Sequence, residues 1–182
     1  VKSDLDNNLS AESFFLPSAS SWSWGTWKSV WMQFQNYNFD KDKIKSNKAM
    51  LRQFDLGDNY NFSTMLVREL EKSGNINSWA ILWRWFLFVH NYLTLHPSIS
   101  LVKNIGFDGS GRHYNKISQT NSKFDFSYNE WKYAKVDSYP SKVDIDLEKI
   151  NSLKMFLSNS TQFSYSRSLI NGIKEYAKKI FH

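Results

Sequence analysis

The chain has 182 residues with a formal net charge of +6, from 23 Lys and Arg against 17 Asp and Glu, and it contains no cysteine. This length suits one domain with a buried core. The missing cysteine excludes disulfides and thiolate chemistry, and basic residues scattered among acidic ones argue against nucleic acid as a partner. Aromatic residues reach 17%, including eight Trp, and such rings suit a hydrophobic core as well as a carbohydrate site.

Neither a signal peptide nor a transmembrane segment is recognisable in the sequence, so we expect the chain to be soluble. It begins at Val1 rather than at a methionine, and we expect it to be a segment of a longer protein. Residues 1–13 are polar and predict irregular structure. Residues 14–16 predict a short strand, which Pro17 ends.

Aromatic residues at helical spacing predict a helix over residues 24–35. They are Trp24, Trp27, Trp31 and Phe34. One interpretation is a stripe buried against the core, because a Trp ring is usually largely buried. The other interpretation places Trp22 and Trp24, at the start of this helix, against a sugar.

Two further helices are predicted before the middle of the chain. Residues 40–48 are charged and predict an exposed run, which leads into a short helix ending at Phe54. A loop over residues 55–60 follows. Asn61 is expected to cap the next helix, which has one apolar face and whose end we place at Gly74.

The longest apolar segment, residues 79–89, predicts a helix buried on nearly every side, because only Arg84 interrupts it. This segment is too short to cross a bilayer. Trp79, Trp83 and Phe86 lie at helical intervals on one side of it, which predicts three core positions.

Two β segments are predicted after this helix, at residues 93–95 and 99–105, on either side of His96 and Pro97. His90 and His96 lie in or beside apolar runs, and we expect them to be packed rather than catalytic. Residues 106–113 are dense in glycine and polar groups, which predicts a flexible loop.

The last part of the chain has a weaker pattern. Residues 115–138 predict an extended segment with interspersed aromatic residues. Residues 144–157 and 167–180 predict two amphipathic helices. Lysines on the second of these helices predict a solvated face, with contact at a membrane surface as the alternative.

Two motifs carry a resemblance to a known family. The first is S-S-W-S-W-G-T-W-K at residues 20–28, with Trp31 beyond it. The second begins with N-S-W-A-I-L-W at residue 77 and continues through L-T-L-H-P to S-L-V-K-N-I-G-F-D-G-S-G-R-H, which ends at His113. In this order they resemble the C-terminal, acceptor-side half of bacterial sugar transferases of glycosyltransferase family 2, over residues 14–113.

The resemblance implies an α/β fold, the helix-rich C-terminal portion of a GT-A-like domain with a few short strands. Residues 1–182 would then be a single domain, the acceptor-side half of a truncated transferase, with residues 140–182 as a C-terminal helical extension. The metal-binding Asp-x-Asp motif of such enzymes has no counterpart in a suitable context, because none of the three stretches with those letters ends an apolar strand. We therefore expect the nucleotide-binding half to be missing.

The resemblance also places the catalytic base. In the family this base is an Asp at the start of the central helix, which falls on Asn77, and the Arg that follows it falls on Leu82. An amide cannot accept a proton at neutral pH. Either another acid takes over, with Asp58 the nearest in sequence, or this copy is inactive.

The glycine loop is expected to bring backbone N–H groups to the diphosphate of a nucleotide. These residues are Gly109, Ser110 and Gly111. His113 would bind a divalent metal, Mn²⁺ or Mg²⁺, which the complete enzyme would need and which this chain alone could lack. A plain surface turn is the alternative interpretation of this loop. Three substrate contacts are expected as well: Trp22, Trp24 and Asp108.

The expected function is part of a glycosyltransferase that moves a sugar from a nucleotide sugar to a glycan acceptor in bacterial surface polysaccharide synthesis, inactive as an isolated chain. The alternative is a non-catalytic carbohydrate-binding or interaction module derived from such an enzyme. We expect a cytoplasmic location, with contact at the inner face of the membrane as a further option, and no nucleic-acid partner. The sequence leaves the donor, acceptor, linkage and oligomeric state open.

Overall fold

The computed structural model describes residues 9–72, 78–102 and 134–158. In these ranges the chain combines helices with a small sheet, which confirms the general α/β class expected from the sequence. In chain order the elements are β1 (Leu9–Leu16), α1 (Lys28–Gln35), α2 (Lys41–Ser46), α3 (Lys48–Phe54), α4 (Phe62–Leu70), α5 (Trp79–Val89), β2 (Thr94–Pro97), β3 (Ala134–Ser138) and α6 (residues 147–158).

The chain divides into two compact units. The sheet unit comprises Val1–Gln35 and Leu87–Asp146, and the helical unit comprises Asn36–Phe86 and Leu147–His182. The three strands and α1 belong to the sheet unit. The helices α2, α3, α4 and α6 belong to the helical unit, and the boundary after Phe86 falls within α5.

The sheet has the strand order β2-β1-β3, so the first strand of the chain is the central one. β1 pairs antiparallel with β2, with Phe14 opposite His96. It pairs parallel with β3, with Ala11 opposite Val136. β1 starts well before residues 14–16, the only part predicted as strand, because its residues 9–12 pair with β3.

β2 differs from the predicted strands at its C-terminal end. The prediction put a break at His96 and Pro97 and a second segment over residues 99–105. β2 instead continues through Pro97, and residues 99–102 lie outside any strand. Proline is tolerated at Pro97 because this is the last residue of an edge strand, where a missing N–H costs no ladder hydrogen bond.

Short polar side chains determine where α2 and α3 begin. The Asp40 Oδ1 atom accepts a hydrogen bond from Lys43 N at 3.0 Å. The Asn47 Oδ1 atom accepts one from Met50 N at 3.0 Å. Each side chain thereby satisfies a backbone N–H group in the first turn of its helix, where no carbonyl of the helix can reach.

The core of the helical unit is built around α5. Trp83, Trp85 and Phe86 are only 3%, 1% and 0% exposed. The Trp85 ring meets Phe54 edge-on with 5.1 Å between ring centroids, and Phe86 meets Tyr37 edge-on at 5.5 Å. These contacts confirm Trp83 and Phe86 as core positions and give the buried helix that the apolar composition predicts.

Trp79 was predicted to be core as well, and that prediction is wrong, because the residue is 41% exposed. Trp79 is the first residue of α5. Helical spacing indicates which side of a helix faces the core, but not how far the core extends along the helix axis. The first turn is therefore the part of α5 that the sequence pattern places least well.

Candidate functional site

A stretch of serines and tryptophans, residues 20–27, joins β1 to α1, and we refer to it as the tryptophan segment. Near its start, Ser23 adopts a left-handed backbone conformation with φ of 45°, which turns the chain. At its end, the carbonyl of Trp27 accepts a hydrogen bond from Trp31 N at 3.0 Å, in the first turn of α1. The backbone of the segment is thus held by a turn on one side and by a helix on the other.

The tryptophans of this segment have different surroundings. Trp24 packs on Trp31 with 5.7 Å between ring centroids, and Trp31 packs on the buried Phe34 at 5.1 Å. Trp22 and Trp27 are instead 44% and 77% exposed. Trp24 therefore anchors the segment, while Trp22 and Trp27 leave much of their ring surface in contact with water.

The exposure of Trp27 corrects the interpretation of this region as a buried helical stripe. The spacing of Trp24, Trp27 and Trp31 suggested one continuous helix, but α1 begins only at Lys28. The signal that could have shown this is the serine-rich, glycine-containing sequence before the helix, which favours a loop. Of the two predicted substrate contacts in this region, Trp22 is exposed and Trp24 is partly buried.

The loop between α3 and α4 contains the predicted alternative base, Asp58. Leu56, Gly57 and Asp58 have φ angles of 57°, 74° and 67°, a left-handed conformation that only glycine adopts without cost. The Asp58 Oδ2 atom lies 2.6 Å from Arg52 Nε, and both side chains are exposed. An acceptor hydroxyl would have to compete with Arg52 for this carboxylate.

Replacing Asp58 by Gly is expected to raise the free energy of unfolding by about 0.5–1 kcal/mol, because left-handed strain disappears while an exposed ion pair contributes little. Asp58→Asn is the matched variant. Asn tolerates the left-handed conformation and lacks only the charge, so it should change stability by less than about 0.5 kcal/mol. Urea unfolding of the three proteins measures both effects. A loss above about 1 kcal/mol in Asp58→Asn would mean that the pair with Arg52 holds the loop.

Asp55, just before this turn, is a buried anchor of the loop. It is 9% exposed, and its carboxylate accepts hydrogen bonds from Ser63 N at 2.6 Å and from Ser63 Oγ. Asn61 occupies the N-cap position of α4, but its side chain makes no capping hydrogen bond to a described residue. Asp55, and not the predicted Asn61, therefore satisfies the first turn of α4.

Arg84 is the only charged residue of α5, and its guanidinium carbon lies 3.6 Å from the centroid of the Phe62 ring, a cation–π contact. Burial lowers the pKa of Arg84 to about 10, although Tyr60 and Asp55 act in the opposite direction. The side chain still carries its charge at neutral pH. We interpret this cluster as structural, because the Asp55 carboxylate is already bound to Ser63.

A second buried carboxylate, Glu69, holds the start of α5. Glu69 is 5% exposed. Its Oε1 atom accepts a hydrogen bond from Ser78 N at 3.0 Å, and its Oε2 atom accepts one from Lys72 Nζ at 2.6 Å. A negative charge at this end of a helix is also favourable for the helix dipole. Both carboxylates that are buried in the described part of the helical unit thus serve helix ends.

Only some of the predicted site residues fall within the described ranges. The following lie outside the described residues: Asn77, Asp108, Gly109, Ser110, Gly111 and His113. Trp22 and Trp24 come together in the tryptophan segment, whereas Asp58 belongs to the helical unit. Leu82, for which the resemblance predicted a lost Arg, is 4% exposed. A guanidinium there would have to be buried, which costs several kcal/mol unless it is paired.

The described histidines do not form a metal site. Among the described residues, no three His, Asp or Glu side chains gather closely enough to hold a metal ion. His96 is packed as predicted, because its Nε2 atom lies 2.8 Å from the carbonyl oxygen of Ser18 and its ring stacks on Phe14. His90 is exposed, and its ring stacks on Tyr92 with 5.8 Å between ring centroids, so the predicted packing holds only in part.

Comparisons of the chain with protein-family models, with curated proteins and with solved structures gave no match. Within the ranges that the structure describes, no helix combines the length and the apolar character needed to cross a membrane. The role of the protein must therefore be inferred from its own residues, above all from the exposed rings of the tryptophan segment.

Proposed function

We propose that the tryptophan segment binds a glycan, and that the chain is the acceptor-side part of a sugar transferase similar to glycosyltransferase family 2. The observation that carries this proposal is the exposure of Trp27, at 77%, together with that of Trp22, at 44%. Exposed apolar area is unfavourable by about 25 cal/mol for each Å². A ligand that covers these rings therefore gains binding free energy.

Sugars suit this surface for two physical reasons. The C–H groups on one face of a hexose form an apolar patch with slight positive charge, and the face of an indole ring is slightly negative. The exposed hydroxyls of Ser20, Ser21 and Ser23 lie in the same segment and can donate and accept hydrogen bonds. Because Trp24 packs on Trp31, the backbone is already ordered before a ligand binds, which limits the entropy lost on binding.

The wider proposal follows the resemblance in the sequence. The donor would be a nucleotide sugar, bound with Mn²⁺ or Mg²⁺ in a GT-A-like fold. Residues 109–111 would contact its diphosphate, and His113 would contact the metal. Such an enzyme would extend a bacterial surface polysaccharide, in the cytoplasm or at the inner face of the membrane. The order and spacing of the two sequence motifs support this part of the proposal.

A second candidate function is glycan binding without catalysis, and three observations favour it. Position 77 carries an amide where the family has a carboxylate. Leu82 is buried where the family has an Arg. The alternative acid, Asp58, is paired with Arg52. The two candidates share the glycan-binding surface and differ in whether any chemistry follows binding.

Trp27→Ala is expected to weaken glycan binding about tenfold or more, because the ring supplies the largest exposed stacking surface of the segment. Isothermal titration calorimetry with oligosaccharides of glucose and galactose measures the affinity. Trp79→Ala is the matched control, since it removes an exposed Trp from the helical unit and should leave the affinity unchanged. Equal affinities of the unchanged chain and Trp27→Ala would contradict the proposal.

Transfer assays test whether any chemistry follows binding in this chain. We expect no sugar transfer from nucleotide sugars with Mn²⁺ or Mg²⁺ present, because a catalytic base contributes about 10²–10⁴ in rate and position 77 offers none. Product is measured by mass spectrometry of the glycan acceptor. Transfer by the unchanged chain would exclude a purely binding role, and Asp58→Asn would then show whether Asp58 is the base.

A further inference from the structure

The tryptophan segment and the described residues of its unit carry few basic side chains. Residues 17–27 contain no ionisable side chain, and the exposed Lys28 follows directly. In the described part of the sheet unit, no arginine is present, and the lysines are Lys28, Lys135 and Lys142. Residues 17–27 themselves are therefore polar without being charged, and Lys28 is the cation nearest to them in sequence.

An acidic sugar would need a different surface. A carboxylate or phosphate group on a glycan is bound through charge-assisted hydrogen bonds, most effectively by the two-pronged guanidinium of Arg. Serine hydroxyls and indole rings do not replace the water lost by an anion, so its burial against them is costly. The hydroxyls of a neutral sugar lose much less favourable hydration free energy on binding. Serine hydroxyls can replace the lost water, because they pair with sugar hydroxyls as donors and as acceptors.

Space for a ligand is available beside the anchored Trp24. A Cβ atom placed on Gly25 would meet no atom within 4 Å, and Gly25 is exposed. The backbone at Gly25, between Trp24 and Trp27, is therefore open on the side where a side chain would stand.

We infer, on the basis of the proposed function, that the tryptophan segment selects uncharged hexose glycans and discriminates against glycans that carry uronic acid or phosphate groups. The apolar face of one hexose stacks on Trp27, and its hydroxyls pair with the serines of the segment. The discrimination comes from the lack of a cationic side chain within residues 17–27, and not from the shape of the surface.

Two matched sets of ligands test this inference: neutral oligosaccharides of glucose and galactose, and galacturonic acid oligomers of the same lengths. Calorimetry should show binding of a neutral oligosaccharide at least about tenfold tighter than binding of its acidic counterpart. Raising the salt concentration from about 20 mM to 300 mM should leave the neutral affinity unchanged, because no ion pair is screened.

Two variants at neighbouring positions test which side chain contributes the affinity for neutral glycans. Trp27→Ala should lose about tenfold or more in affinity for neutral glycans, whereas Lys28→Gln should change that affinity less than about twofold. Because both positions are exposed, neither variant is expected to unfold the chain. Circular dichroism confirms folding before each titration.

The outcomes distinguish this inference from the proposed function. Tighter binding of the acidic oligomers, with loss of binding in Lys28→Gln and at high salt, would overturn the inference while leaving glycan binding intact. No binding of any oligosaccharide would overturn the proposed function itself. Binding to phosphatidylcholine vesicles that depends on Trp27, without glycan binding, would overturn both and identify the segment as a membrane-surface contact.

Discussion

Replacing Trp83 by Ala is expected to lower the free energy of unfolding by about 3–5 kcal/mol. Trp83 is 3% exposed, and its ring stacks on Phe86 with 5.6 Å between ring centroids. Removing it takes away a large buried apolar area and leaves a cavity that a close-packed core closes only in part. Chemical unfolding followed by circular dichroism measures the change in unfolding free energy.

Trp79→Ala is the control for this experiment, because it is the same substitution in the same helix at a residue that is 41% exposed. We expect a clearly smaller loss, about 1–2 kcal/mol, since a half-exposed ring leaves no closed cavity. Equal losses in the two variants would mean that the first turn of α5 is packed as tightly as its middle. A loss below about 1 kcal/mol in Trp83→Ala would show that the helix is not the core of its unit.

Asp55→Ala is expected to lower the free energy of unfolding by about 2–4 kcal/mol. The substitution removes two hydrogen bonds to Ser63 and the cap of α4. It also removes a carboxylate whose charge favours the protonated form of the partly buried Arg84. A buried cation that loses a compensating charge is destabilising in itself. Thermal and urea unfolding should agree on the direction of the change.

Asn61→Ala provides the comparison for this substitution. Asn61 occupies the N-cap position of the same helix, but its side chain caps no described residue, so its replacement should cost less than about 0.5 kcal/mol. If Asn61→Ala lowered the free energy of unfolding more than Asp55→Ala does, Asn61 itself would cap α4 and the role of Asp55 would be minor.

The sequence predicts those parts of the fold that depend on composition within one segment. A run of apolar residues with a single Arg predicts the buried helix α5, because an apolar surface on all sides has to be covered. Asp40 and Asn47 cap α2 and α3, two helices where the sequence analysis predicted only a charged run before one short helix. Trp22 could be predicted as exposed from the serines around it, and it is 44% exposed.

Features that depend on partners distant in sequence could not be predicted. Asp55 caps α4 from eight positions before Ser63, across a left-handed turn that carries no familiar sequence signature. Trp27 follows helical spacing but precedes the helix, so periodicity gave the wrong environment. β1 was predicted at less than half its length, because residues 10–13 are polar or small. Residues 9–12 owe their strand conformation to pairing with β3.

The central position of β1 has a consequence for the way the protein is made. Its Ser13 Oγ atom donates a hydrogen bond to the carbonyl of Ser138, 125 residues further along the chain. The ribosome therefore synthesises β1, the middle strand of the sheet, long before its parallel neighbour β3. Contacts between residues so distant in sequence form slowly. Until β3 emerges, one edge of β1 stays open to pairing with other nascent chains. Translation that pauses before residue 134 would prolong the time for which this edge of β1 is open.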